Sequence, residues 1–266
     1  MKLTLIQGDC LKVLPTIPDE SVNLVLTDPP FNISRPFVLD RTKLKKLYRP
    51  SKLTYDFGEW DKWDYDKFTD FLWEWIEMCF NKLKDDGQFY TFCSKERMET
   101  IWKIWEALGG KPKNIITWVK PHCAPNMQKT WHSVTEFIFY GIKHKQKPLN
   151  FKSHKEIYNV IFCPNISAFK EENTIHPTQK PEKVVEHLMK VSSNENDTIL
   201  DPFLGSGTTM DACLRLKRNC IGIEINPEYI EICKKRLNWG SSLGNIEFEF
   251  KDMSNVEISN NIGDKI

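Results

Sequence analysis

Residues 198–225 read TILDPFLGSGTTMDACLRLKRNCIGIEI. The apolar runs at 198–203 and 220–225 have the length and β-branched content of buried strands, and a glycine-punctuated turn with a short helical segment separates them. Strand, turn, helix, strand is one βαβ unit, whose two strands must run parallel. The turn DPFLGSGTT (201–209) is built to let backbone approach a ligand at the start of a helix. As a dinucleotide fingerprint it fails, because the GxGxxG pattern finds Gly205 and Gly207 but then Met210, so a pyrophosphate is disfavoured. Glu224 nevertheless ends the next strand 19 residues after Gly205, where such folds place an acid on ribose hydroxyls. Two readings stand: a nucleoside-like cofactor without a pyrophosphate, or an ordinary strand-end acid.

The alternation continues outward from this unit. LTLIQGD (3–9) and VNLVLTD (22–28) read as strands, and Phe68, Phe71, Leu72, Trp75, Ile76, Cys79, Phe80 and Leu83 form one wide apolar face of a long helix, which DDG (85–87) is expected to stop. QFYTFC (88–93) is a strand, Met98, Ile101, Trp102, Trp105 and Leu108 mark a helix, and Gly109 and Gly110 break it. Strands follow at NIITWVK (114–120) and EFIFYGIK (136–143), then a helix over 181–191 opened by Pro181. In NPEYIEICKKRL (226–237), Asn226 is placed to cap the last helix with Pro227 in its first turn. The pattern predicts an α/β fold with a doubly wound, mainly parallel sheet and ligands at the carboxyl ends of the strands. Residues 241–266 have the composition of a polar tail, in which IEFEF (246–250) has the pattern of an edge strand.

Charge excludes little: 37 Lys and Arg face 36 Asp and Glu, so only local clusters argue for a polyanionic partner. Two exist. Segment 33–58 carries Arg35, Arg41, Lys43, Lys45, Lys46, Arg49 and Lys52 with little acid, and 143–155, KHKQKPLNFKSHK, carries five lysines and none. Each reads as a phosphate grip or as a solvated surface. The eight cysteines, at 10, 79, 93, 123, 163, 213, 220 and 233, form no CxxC pair and lie mostly in apolar segments, the pattern of reduced thiols in a cytoplasmic protein. No apolar run is long enough for a membrane span, and MKLTLIQGDC has no signal-like h-region.

With TDPPF (27–31) and HPTQKP (176–181), the turn DPFLGSGTT resembles the signature motifs of S-adenosylmethionine-dependent amino-methyltransferases acting on DNA. The motif order is similar to that of their circularly permuted β group, over roughly residues 1–239, and DFGEWDK (56–62) resembles adenine-modifying members that accompany restriction enzymes. The resemblance implies a Rossmann-like methyltransferase fold with an antiparallel strand. It also implies a methyltransferase domain over 1–240, made of a catalytic half (1–143), a target-recognition segment (144–175) and a cofactor half (176–240), with 241–266 as a tail. Phe203, Gly205, Ser206, Gly207, Thr208 and Thr209 would cradle the methionine portion of S-adenosylmethionine and Glu224 its ribose. Asp9, with Cys10 beside it, would meet the adenine edge unless Asp9 merely starts a turn, and Lys180 would complete the pocket near the carboxylate. No metal is required, and His176 belongs to its turn. Arg35, Lys43, Lys45, Lys46, Lys145, Lys147 and Lys152 are the candidates for double-stranded DNA. A homodimer and a partner restriction endonuclease are further implications.

The family reading also explains why the strand 23–28 ends in Asp28, Pro29, Pro30 and Phe31. An exocyclic base amine is a poor nucleophile because its lone pair is delocalised into the ring. Two acceptors aimed at its hydrogens, the Asp28 carboxylate and the Pro29 carbonyl, hold that pair on the electrophile, and the fixed proline φ angles keep them rigid. Phe31 offers a face for a base swung out of the duplex. Its place is more often Tyr in adenine-modifying relatives, whereas Asp at 28 favours adenine, since cytosine-modifying relatives commonly have Ser there. N4-cytosine is the near alternative, with an RNA or protein acceptor further off. A nicotinamide oxidoreductase is opposed by Met210, and a non-catalytic DNA-binding module by the complete DPPF set.

Overall fold

In a computed structural model, residues 1–31, 65–121, 131–164, 179–241 and 246–256 are described. Arg35, Lys43, Lys45, Lys46, Cys123 and His176, and the stretch DFGEWDK, lie outside them. In chain order the elements are β1 (Lys2–Gln7), α1 (Cys10–Val13), β2 (Val22–Thr27), α2 (Tyr65–Lys82), β3 (Leu83–Cys93) and α3 (Met98–Ala107). Next come β4 (Lys111–Val119), β5 (Thr135–Ile142), β6 (Val160–Phe162), α4 (Glu182–Ser192) and β7 (Thr198–Asp201). The last are α5 (Thr208–Leu216), β8 (Asn219–Glu224), α6 (Pro227–Arg236) and β9 (Glu247–Asp252). The strands form one 9-stranded sheet in the order β6-β4-β5-β3-β2-β7-β8-β1-β9. Only β5 runs against its neighbours; the other pairings are parallel.

Alternate residues of a strand point to opposite faces, so a sheet covered on both sides needs apolar residues at successive positions. β2 meets this demand: Leu24 and Leu26 pack in one layer with Val184, Leu188 and Met210 of α4 and α5. Val25 packs in the other, with Leu72, Trp75 and Trp105 of α2 and α3. Helices on both faces of a mainly parallel sheet make the fold doubly wound, as the βαβ alternation predicted.

Three local details differ from the sequence reading or extend it. The long helix ends at Lys82, and DDG lies inside β3, because Leu83 already pairs with Val22 and the residues before Gln88 are absorbed by a register shift. β6, a short strand parallel to β4, was not expected. At the other edge IEFEF does form a strand: β9 pairs in parallel with β1, Lys2 opposite Glu247 through Gln7 opposite Asp252. Asn226 caps α6 as expected, its side chain accepting from the Glu228 N–H at 2.8 Å. All seven cysteines among the described residues are buried, and no described helix is long and apolar enough to cross a membrane.

Candidate active site at the carboxyl ends of the strands

β2 ends at Thr27, so Asp28, Pro29, Pro30 and Phe31 emerge at the carboxyl edge of the sheet. Lys180 donates to Asp28 Oδ2 at 2.6 Å. Asp28 Oδ1 is buried and has no hydrogen-bond partner among the described residues. A buried acceptor without a donor is costly, and such atoms are usually explained by a ligand or by water. Removal from water pushes the Asp28 carboxyl up to about 6 against the opposing pull of Lys180. For Lys180, desolvation favours the neutral amine, but Asp28 and Glu136 outweigh it and hold the ammonium above its ordinary value. The same ammonium lies 5.3 Å from the centre of the Phe31 ring and 5.1 Å from that of Phe92. Phe31 is half-buried against the core layer formed with α4 and α5.

Lys180 therefore has a position the sequence reading did not give it: it is bonded to the catalytic-motif carboxylate. Its second acid, Glu136 in β5, lies 3.6 Å away, and Glu136 is itself bonded by Lys120 at 2.8 Å. Desolvation would raise the Glu136 carboxyl, yet the two lysines hold it below its usual range.

The neighbouring strand β7 brings the glycine turn alongside. Asp201, at its end, accepts from the Thr27 hydroxyl at 2.6 Å and from the Phe203 N–H at 3.1 Å, and the Thr209 hydroxyl also bonds to it. Burial pushes this carboxyl, too, up to about 6. One buried acid thus ties the end of the DPPF strand to the start of the glycine turn. Gly205 (φ 55°) and Gly207 (φ 85°) take the left-handed conformation that side chains disfavour. Glu224 closes the far side of the turn: its carboxylate accepts from the Gly205 N–H at 2.8 Å and the Asn226 N–H at 2.7 Å, while burial raises it above the ordinary value. Two carboxylate oxygens offer about four acceptor sites, so both N–H bonds leave capacity for ribose hydroxyls. The Gly8 N–H donates to the Glu224 carbonyl at 3.0 Å, which sets Asp9 and Cys10 beside that acid.

Several side chains at the turn have internal partners. Asp9 caps α1, accepting from the Leu11 N–H at 3.0 Å, and Cys10 is buried, which pushes its thiol up. Phe203 meets Trp75 edge-on at 5.3 Å between ring centres, in the layer under α2. Arg236 of α6 donates to the Thr208 hydroxyl at 3.2 Å and to the Ser206 carbonyl at 3.5 Å. A Cβ on Gly207 would come within 2.5 Å of Cys233 Sγ, so α5 and α6 require glycine there irrespective of any ligand. Among the expected DNA contacts, Lys145 is ion-paired with Asp85 at 2.8 Å, and Lys147 lies 3.8 Å from Asp197. The Lys152 backbone N–H donates to Glu156 at 3.3 Å.

An orphan carboxylate oxygen thus stands beside a glycine turn at the carboxyl edge of a doubly wound sheet, where Rossmann-like folds bind their ligands. Residues 22–235 match the DNA methylase family, and the chain belongs to it. It is 33% identical to the Type II methyltransferase M2.LlaDCHI of Lactococcus lactis subsp. cremoris, over 90% of this chain and 91% of that one. It is 30% identical to the Type II methyltransferase M2.MboI of Moraxella bovis, over 95% and 93% of the two chains. The crystal structure of an M1.HpyAVI complex with S-adenosylmethionine superposes with a TM-score of 0.69 at 30% identity, covering 90% of this chain and all of that one. The cytosine-N4-specific PvuII DNA methyltransferase, at 20% identity and a TM-score of 0.68, shares the fold.

Proposed function

We propose that the protein transfers a methyl group from S-adenosylmethionine to N6 of adenine, at a defined site in double-stranded DNA. The observation that carries this reading is Asp28 Oδ1: a buried acceptor with no protein donor among the described residues, on a carboxylate whose other oxygen Lys180 already occupies. When bound, S-adenosylmethionine supplies a sulfonium methyl to the nitrogen lone pair. Asp28 Oδ1 and the Pro29 carbonyl accept hydrogen bonds from the two amine hydrogens and fix the direction of that pair, and the single surplus proton of the methylated amine passes to solvent, so the chain contributes orientation and electrostatics. Glu224 takes the ribose hydroxyls, and the backbone of the turn around Gly205 faces the methionine portion, beside Asp9, Cys10 and Lys180. Asp28 supports adenine over cytosine through the family tendency noted above.

On this reading 1–143 is the catalytic half, 144–175 reads the target and 176–240 holds the cofactor. The enzyme works in the cytoplasm as the modifying partner of a restriction endonuclease, and two copies pair through the cofactor half. Lys43, Lys45 and Lys46 grip phosphates. The test is incubation of unmethylated duplex DNA with labelled S-adenosylmethionine, followed by mass spectrometry of the nucleosides and sequencing of the modified positions. N6-methyladenine at one recurring sequence is expected. N4-methylcytosine would replace the adenine assignment, and label entering only RNA or protein would overturn the DNA reading.

A further inference from the structure

We propose that Glu136, backed by Lys120, is a positioning residue that holds Lys180 on one oxygen of Asp28 and thereby leaves the other oxygen for the target amine. The inference rests on the reading of Asp28 as the amine acceptor. Four charges of alternating sign stand in a row. Lys120 Nζ is 2.8 Å from Glu136 Oε1, Glu136 Oε2 is 3.6 Å from Lys180 Nζ, and Lys180 Nζ is 2.6 Å from Asp28 Oδ2. Their side chains keep between 9% and 26% of their surface exposed, so water screens the row only weakly.

An ammonium has three donors and no directional preference of its own. Without Glu136, Asp28 is the remaining acid beside Lys180 among the described residues, and an ammonium drawn wholly to it can bridge both carboxylate oxygens and consume the acceptor that the amine needs. Glu136 offers it a second acid at 3.6 Å. Glu136 Oε2 has no full hydrogen bond among the described residues, so its hold on Lys180 is electrostatic and depends on the net charge at Glu136. Lys120, 2.8 Å from the other oxygen, partly offsets that charge. Its backbone N–H donates to the Val134 carbonyl at 2.7 Å, which pins it at the end of β4 opposite the start of β5. The strand direction explains why an acid can stand there: β5 is antiparallel, so its first residues lie at the carboxyl edge of its neighbours.

Among the described residues the charged groups acting on Asp28 are Lys180, Glu136 and Asp201, and those acting on Glu136 are Lys180 and Lys120. The row therefore makes opposite predictions for Glu136 and Lys120. Glu136→Gln removes a negative charge facing Asp28 and releases Lys180 towards it, so the Asp28 titration midpoint falls. Lys120→Gln leaves Glu136 less neutralised and draws Lys180 away, so the midpoint rises. Each displacement should be roughly half a pH unit, and the double variant should return close to wild type.

The experiment is a carboxyl carbon-13 titration of the full chain labelled at aspartate, with the Asp28 signal identified by its loss in Asp28→Asn. The acid limb of methyl transfer to duplex DNA, measured in parallel, should move in the same directions. Midpoints that stay at the wild-type value, or move the same way in both single variants, overturn the proposal. Each single variant decides by the sign of its displacement, so misfolding of one leaves the other conclusive. If the wild type transfers no methyl group to DNA, the proposed function fails, while the titration still judges the positioning.

Discussion

Replacing Asp201 with Asn should stabilise the fold at neutral pH by an amount that disappears in acid. Asp201 is 3% exposed, and its partners among the described residues are two hydroxyls and a backbone N–H, with no cation among them to offset its burial. Displacement of its proton affinity from 3.8 to about 6 means that keeping it ionised costs about 3 kcal/mol. Between these pH values the folded chain binds a proton that the unfolded chain has released, so the unfolding free energy falls as pH rises. The contribution is fully present below 3.8 and lost as pH rises through 6. Asn cannot titrate but keeps the Oδ1 acceptor that Thr27 and Phe203 use. Any rearranged hydrogen bond around its amide adds a constant offset, so the slope against pH is the diagnostic quantity. Urea unfolding followed by tryptophan fluorescence at intervals from pH 4 to pH 8 measures it. The stability of the variant minus that of the wild type should rise across this range by up to about 3 kcal/mol. A difference that is flat with pH would refute the account of Asp201 as a buried, ionisable tie between the two motifs.

Three further outcomes follow from the site. Asp28→Asn should lower methyl transfer about a hundredfold or more with little change in S-adenosylmethionine affinity by calorimetry; near-normal turnover would remove Asp28 from its role. Gly207→Ala should lower the melting temperature, because its Cβ meets Cys233 Sγ and its φ is left-handed, and adding Cys233→Ala should recover part of the loss. A double variant no more stable than Gly207→Ala alone would show that the contact is not the cause. Changing Lys43, Lys45 and Lys46 to Gln should weaken DNA binding to all sequences and flatten the log–log salt dependence by about 0.9 per lost phosphate contact, without altering site choice. The wild-type slope in that variant would mean a solvated surface.

The fold was legible because β2, β7 and β8 carry apolar residues at successive positions and end in an acid or a turn, which is what a strand covered on both faces requires. Asp28 and Glu224 were legible for the same reason, since each terminates such a strand. Glu136 was not. It stands at the beginning of EFIFYGIK, and a rule that looks to carboxyl ends passes over it unless the strand is known to run backwards. Asp201 was visible as a letter of DPFLGSGTT, but its bond to Thr27 depends on β2 and β7 being neighbours, and no local pattern records that adjacency. The sequence explains Gly207 by the close approach of a ligand, whereas the atom it makes room for belongs to Cys233, 26 residues further along the chain and on another helix.

The pairing of β1 with β8 and β9 bears on how the chain is made. β1 leaves the ribosome before the other described strands, yet both strands that flank it lie beyond residue 218. At synthesis rates of about 5–20 residues per second, its two edges wait on the order of ten to forty seconds for partners. Strands β2 and β3 can meet long before that, but β2 also awaits β7. Assembly of the sheet is therefore a late event, closed by residues 247–252, and until then β1 presents rows of unpaired backbone N–H and C=O groups that must be kept from other chains.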